Sequence, residues 1–432
     1  MEEMNDTAEV LEVASIAGHI LLENGAEISR VEDTMARISS HYGVDSGHFF
    51  VLSNGIFTTG SKGRYANVEF IPIRGIQLSK VAEVNKLSYD IAAGKYTLAQ
   101  ARSRLEAIRD GAGKSAWELI AGSAFGAAGF CAVFGGGFMD CAAAFVVGAL
   151  LYVFSLSVSG RYLSKIVGGI CNALMATLLC LVSYRIGFGE SLSNVIIGAI
   201  MPLIPGVPFV NGVRDLANSD YIAGLTRLTD AMLGFICIAL GVSISFLLDG
   251  AVFGGMIELY GMTVNAQTAG LFWQMLAAFV GTMAFAVLFG APRREYVAAG
   301  IIGSVGWGLF LVLTRFCSIG ATVAIVLSTV VICMLSRYAA VMHKCPGTVF
   351  VLCGIFPLVP GAGVFWFTYY LLSSQFRLSL GTGFVAAKAA IAIVLGIILA
   401  MELPQRFFSR PVFLCKSLLR RLFSRQSTDT RS

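Results

Sequence analysis

From Ser115 onward the chain is a succession of long apolar stretches separated by short polar turns, whereas the residues before it change character every few positions. Ten stretches reach spanning length, roughly 116–134, 138–158, 166–185, 192–212, 230–249, 269–290, 296–314, 317–340, 347–372 and 383–402. Each approaches the ~20 apolar residues that a hydrocarbon core requires. Ahead of them, residues 10–22 follow a helical period and residues 28–41 an amphipathic one. Aromatic and β-branched runs at 48–52, 55–59 and 66–73, punctuated by Ser53-Asn54-Gly55 and Gly60-Ser61-Lys62-Gly63, predict a small antiparallel sheet. Residues 79–93 and 97–110 predict two polar helices, the second capped by Thr97 and stopped by Gly111. The expected fold is a polytopic α-helical membrane protein of ten transmembrane helices carrying an N-terminal α+β domain.

Composition places the chain outside the soluble classes, with 56% apolar residues, 13% charged residues and a mean hydropathy of +0.77. The charges divide unevenly. Residues 1–113 hold 11 basic and 15 acidic side chains, the remainder 20 basic and 11 acidic. No apolar segment with a cleavage site follows Met1, so the first domain is expected in the cytoplasm. The inner loops then carry Arg161, Lys165, Arg214, Arg227, Arg293, Arg294, Arg337 and Lys344, the outer ones only Arg185, Arg315 and Arg377. This basic bias supports ten spans with both termini cytoplasmic. The expected boundaries are 1–113 for the cytoplasmic domain, 114–250 for a first five-helix repeat, 251–268 for a connecting loop, 269–403 for a second repeat and 404–432 for a basic tail.

Within these spans Met201-Pro202-Leu203-Ile204-Pro205-Gly206 returns 155 residues later as Phe356-Pro357-Leu358-Val359-Pro360-Gly361. Proline removes a backbone donor and clashes one turn back, so each copy should break its helix. Broken helices survive in hydrocarbon only where protein or a water-filled cavity meets the freed peptide groups. Five spans per half imply that the halves are inverted repeats, with the fourth and ninth helices broken near the midplane, as in alternating-access transporters. The plainer reading is a pair of packing kinks. Ten cysteines form no C-x-x-C pair and call for no metal or disulfide, and no cofactor is expected.

The run Asn24-Gly25-Ala26-Glu27-Ile28-Ser29-Arg30-Val31-Glu32-Asp33-Thr34, followed by Asn54-Gly55-Ile56-Phe57, resembles the threonine/serine exporter family. The stretch from Ile204 to Asp215, with Asn211, Arg214, Gly224, Arg227 and Asp230, is similar to the end of that family's first membrane half, and Pro357 to Gly361 to its second. Val210 and Pro208 depart from the family pattern. The resemblance covers nearly the whole chain and implies the fused form of a two-subunit arrangement. It implies proton-driven export of threonine and serine across a prokaryotic plasma membrane, with succinate export by a two-subunit relative as the alternative.

A zwitterionic substrate requires donors for its carboxylate and acceptors for its ammonium, and half-helix ends supply both. The candidate substrate site is therefore Pro202, Pro205, Gly206, Asn211, Pro357, Pro360, Gly361, Trp366 and Lys388; Asn211 reads equally as a helix cap. Arg214 and Asp215 read as a gate or as headgroup anchors. For proton coupling the candidates are Asp140, Glu118 and Asp230, because intramembrane ionisable groups are scarce. Glu27, Arg30, Glu32 and Asp33 form a cytoplasmic motif, read as a solvated helix face, a docking surface, an oligomer contact or a regulatory site. A membrane-anchored sensor or hydrolase is the rival from another class, since glutamates, aspartates, Ser53 and His48 are available in the first domain, but none of them has nucleophile-elbow or metal-ligand spacing. The basic tail after Pro404 predicts an amphipathic helix on anionic lipid, and nucleic acid is not an expected partner. The oligomeric state, a homo-oligomer included, stays open.

Overall fold

The computed structural model describes residues 2–44, 48–60, 66–72, 75–254 and 270–404. The basic tail expected after Pro404 and most of the connecting loop lie outside the described residues. The first part runs α1 (Glu2–Glu23), α2 (Ile28–His41), β1 (His48–Leu52), β2 (Gly55–Thr59), β3 (Ala66–Phe70), α3 (Leu78–Ala92) and α4 (Leu98–Asp110). The strands form one antiparallel sheet in the order β1-β2-β3. Val51 pairs with Ile56, and both face a core that includes Leu21, Ile28, Met35 and Val81. Strand alternation and the apolar stripe of α2 therefore converge on a single interior. Thr97 caps α4 reciprocally with Gln100, as its sequence predicts.

The second part runs α5 (Ala116–Val133), α6 (Phe138–Phe154), a π turn over Ser155–Ser159, α7 (Gly160–Tyr162), α8 (Lys165–Arg185), α9 (Leu192–Ile200), α10 (Gly206–Ala217) and α11 (Tyr221–Phe253). It continues through α12 (Leu271–Leu288), α13 (Tyr296–Arg315), α14 (Ala321–His343), α15 (Gly347–Gly354), α16 (Gly361–Leu372) and α17 (Phe376–Met401). Among the described residues, eight helices are long and apolar enough to cross a membrane, ten if α9 with α10 and α15 with α16 each count as one bent span. The last long helix of each half starts earlier than hydropathy predicts, at Tyr221 and at Phe376, because the first turns are polar but remain helical.

Both bent spans break in the same way. A 3₁₀ turn over Met201–Leu203 or Phe356–Leu358 holds the first proline. A three-residue turn centred on the second follows, Pro205 at φ −77, ψ 55 and Pro360 at φ −76, ψ 50. It is closed by Gly206 N to the Ile204 carbonyl and Gly361 N to the Val359 carbonyl, both 2.8 Å. These dihedrals are those of an inverse γ-turn, a fold that proline's fixed φ favours. The resulting bends are 57° and 42°.

Candidate functional site

The two breaks pack against each other. A Cβ on Gly206 would press into the Phe356 ring, and one on Gly361 into Ile204 and Met201. Glycine is thus required at both positions by close approach. Phe356 is itself held among Phe130, Phe285 and Phe289, its centroid 4.0 Å from that of Phe285. Pro357 is buried in the same layer.

At one end of the bundle the loop between α1 and α2 is clasped by the ends of α10, α11 and α15. Asn211 Nδ2 donates to the Gly25 carbonyl at 2.8 Å, and Arg227 Nη2 to the Ala26 carbonyl at 2.8 Å. Asp215 Oδ1 accepts from Ile28 N at 3.1 Å, while its Oδ2 lies 2.8 Å from Arg227 Nη1. Glu27 is the hub. Its Oε1 meets Arg30 at 2.7 Å and Arg214 at 3.2 Å, and its Oε2 accepts from the Thr348 hydroxyl at 2.7 Å. Arg214 Nη1 also donates to Thr348 Oγ1 at 2.9 Å, so the carboxylate ties the first part of the chain to both bent spans. Burial alone would push the Glu27 carboxyl up, but the guanidiniums of Arg214 and Arg30 and the Thr348 hydroxyl outweigh it and hold the group well below the usual carboxylate range.

A second attachment lies nearby. Leu78 N and Ser79 N donate to the carbonyls of Phe289 and Gly290 at 3.0 and 2.8 Å, immediately after α12. Glu118 at the start of α5 caps Ser115 and pairs with Arg293 at 2.7 Å. The ends of six bundle helices are therefore gathered on the side of the sheet-bearing unit.

Several expected site residues are placed elsewhere. Lys388 is exposed on the outer face of α17, its Nζ 5.0 Å over the Phe384 ring. Helical phase explains the correction: Phe384, Val385 and Ile391 share that exposed face. Asp140 is buried and accepts from Gly137 N, Glu190 N and Ser191 N at 2.9, 2.7 and 2.8 Å, tying the start of α6 to the start of α9. Glu32 accepts from Val51 N at 3.2 Å and Asp33 is exposed, so these two serve the first unit rather than the clasp. Trp366, midway along α16, is buried and stacks on Tyr370, with Tyr369 edge-on.

Asp230 lines a cavity of about 650 Å³ between α6, α8, α11 and the first break, with Pro202 and Pro205 in its wall. Lys165 Nζ reaches both Asp230 oxygens at 2.5 and 2.6 Å. Sequence reasoning missed Thr348, Lys165 and Asn172. Thr348 carried one usable signal, a hydroxyl at the start of the second bent span. Among the described residues no group of three or more metal-ligating side chains is present.

Residues 12–248 match the family described as "Putative threonine/serine exporter", and residues 274–402 a second described as "Threonine/Serine exporter". A "Threonine/serine exporter" from Corynebacterium glutamicum is 22% identical, the match covering 95% of this chain and 85% of the relative. A "Probable threonine/serine exporter" from Mycobacterium tuberculosis is 24% identical over 83% of this chain and 69% of that protein. A "Probable succinate transporter subunit" from Klebsiella aerogenes is 23% identical over 53% of this chain and 90% of the subunit. No solved structure matches the chain.

Proposed function

Because the chain belongs to the threonine/serine exporter family, we propose that it exports threonine and serine by alternating access between two inverted halves, driven by protons. The observation that carries this reading is the reciprocal packing of the breaks. Gly206 meets Phe356 while Gly361 meets Met201, and both glycines and their partners are 155 residues apart. Such an exchange of roles is what a pseudo-twofold axis produces. Element starts repeat on the same spacing, Ala116 with Leu271, Gly206 with Gly361 and Tyr221 with Phe376. So do the buried carboxylates Asp140 and Glu295, the second held by His343 at 2.6 Å just before α15. Inversion is supported by direction. The start of α5 and the end of its counterpart α12 both lie beside the first unit.

On this reading the sheet-bearing unit is cytoplasmic, as the basic loops favour, and the clasp on Glu27 is the cytoplasmic gate. Arg214 and Asp215 close it from the membrane side. The broken spans are the moving parts because their termini supply the polar groups that a helix interior lacks. Of the carboxylates considered for proton coupling, Asp140 and Glu118 are engaged in caps, which leaves Asp230, facing a cavity, as the coupling group. A dicarboxylate substrate is the alternative, supported by the partial match to the succinate subunit. No observation favours an enzymatic role.

Purified protein in liposomes, with an imposed pH gradient and threonine, serine or succinate loaded separately, tests the reading. Gradient-dependent flux of threonine and serine that exceeds succinate is the expected result. Flux of succinate alone would transfer the assignment to the dicarboxylate, and no flux of any of the three would overturn it.

A further inference from the structure

Asp140 and Glu295 stand 155 residues apart at equivalent positions, and both are buried, yet different chemistry holds them. The Asp140 carboxylate accepts from the backbone amides of Gly137, Glu190 and Ser191, and so fixes the start of α9 to the start of α6. None of these donors recurs in the second half. Pro292 and Pro346 stand where Gly137 and Ser191 do, and proline has no N–H. Cys345 stands where Glu190 does, and its amide is taken by the Ala340 carbonyl at 3.1 Å.

Side chains replace the missing amides. Glu295 ends a 3₁₀ turn over Arg293–Glu295, and it is met by Arg294 Nε at 2.7 Å and, from the last turn of α14, by His343 Nδ1 at 2.6 Å. Among the described residues neither carboxylate oxygen has an aligned hydrogen-bond donor, so charge rather than hydrogen bonding holds this corner. His343 takes the place of Phe188, which carries no charge. The corner is also strained. Lys344 sits at φ 51 where the first half has Gly189 at φ 118, and a lysine enters the left-handed region only at a cost. The other groups around the corner are Lys344 itself, Asp90 of α3 acting on Lys344, and Arg30 of α2 within electrostatic reach of Cys345. From α15 the Phe350 ring lies 5.9 Å from the imidazole.

We propose that His343 and Glu295 form a proton-binding joint, which docks the start of α15 when the imidazole is charged and releases it when the imidazole is neutral. Imidazoles change charge over about pH 5–8. A buried carboxylate attracts only the charged form, so docking is complete at the acid end of that range and is lost as pH rises. α15 carries Thr348, so the joint sets how firmly the second bent span is seated beside the clasp. Glu27 keeps Arg214 and Arg30 in both states. The Asp140 clamp contains no imidazole, so the response belongs to the second bent span alone. This inference goes beyond the exporter reading and is measured without substrate or flux.

The test is hydrogen exchange of the purified full chain between about pH 6 and about pH 8.5, corrected for intrinsic rates and read at the Cys345 and Val349 amides. Val349 N donates to the Pro346 carbonyl in the first turn of α15. A hydrogen bond to a charged group is worth about tenfold or more, so protection at both amides should fall about tenfold towards the alkaline end. The Ile28 amide, held by Asp215, should not follow. His343→Gln should exchange at the alkaline level throughout. His343→Arg, whose charge is permanent, should stay protected throughout, which also shows that the corner tolerates substitution. His19 and Glu69 form another pair of this kind in the first unit, and both variants leave it intact. Protection that is constant across the range in the unaltered protein, that falls equally in His343→Gln, or that falls with rising pH in His343→Arg overturns the joint. So does a parallel fall at Ile28, which would mean that the whole clasp loosens.

Discussion

Glu27 shows how one side chain can hold three segments together. With 2% of its side chain exposed and two guanidiniums within reach, it is stabilised only as a carboxylate. Removing its charge leaves Arg214 buried without its counter-ion, and breaking such a pair costs about 3–5 kcal/mol. Glu27→Gln should therefore release the clasp, and the Ile28 amide, which donates to Asp215 only when docked, reports it. Its hydrogen exchange should accelerate at least about a hundredfold at pH 7, in line with that energy. The sign of the pH dependence follows from the depressed carboxyl. Its contribution is complete above the ordinary value of 4.5 and is lost only as pH falls through the lower, docked value. The difference in Ile28 protection between the unaltered protein and Glu27→Gln should thus stay constant from pH 8 to about 5, and a difference that vanishes within that range would show that Glu27 is not the hub.

The bent spans show what an element can and cannot disclose in its sequence. Two prolines and a glycine at fixed spacing announce each break, and hydropathy finds the spans to within a few residues because water exclusion acts on each segment by itself. The π turn at Ser155–Ser159 leaves no periodic trace, and neither do contacts made across nearly 190 residues. Asn211 reads as a substrate contact, yet its amide holds the Gly25 carbonyl. No local pattern encodes that meeting. Lys388, by contrast, shares its face with Phe384 and Ile391, so its outward placement was available from helical phase. At the breaks, the close approach predicts unequal effects of one added methyl. Phe356 is boxed in by three rings and cannot yield, whereas the tips of Met201 and Ile204 beside Gly361 are flexible. Gly206→Ala should cost about 1–3 kcal/mol by overpacking and reduce flux at least tenfold. Gly361→Ala should cost less, and equal losses measured by flux and thermal unfolding would contradict the packing.

At the scale of the whole molecule, the two bent spans end in unlike surroundings. Asn211, Arg214 and Asp215 at the clasp correspond in position to Trp366, Tyr369 and Tyr370, which form a stacked aromatic layer against Phe246. One end of the paired breaks is closed by charge and by the sheet-bearing unit, the other by rings. Opening at either end requires different losses, and an alternating machine biased at one end should expose the break to that side alone. A cysteine at Leu203, which is partly buried at the first break and lines the cavity, would report this through its alkylation rate by impermeant reagents, with exposed Cys317 replaced by serine. Adding Glu27→Gln should raise labelling from the side of the sheet-bearing unit roughly fivefold or more, the effect of about 1 kcal/mol on a two-state population. Tyr369→Ala should raise it from the opposite side by a similar factor. Because the two states exclude each other, each substitution should also slow labelling from the other face. An increase from both sides at once would mean a leak through loosened packing, and the two ends would then not be the alternating gates of one site.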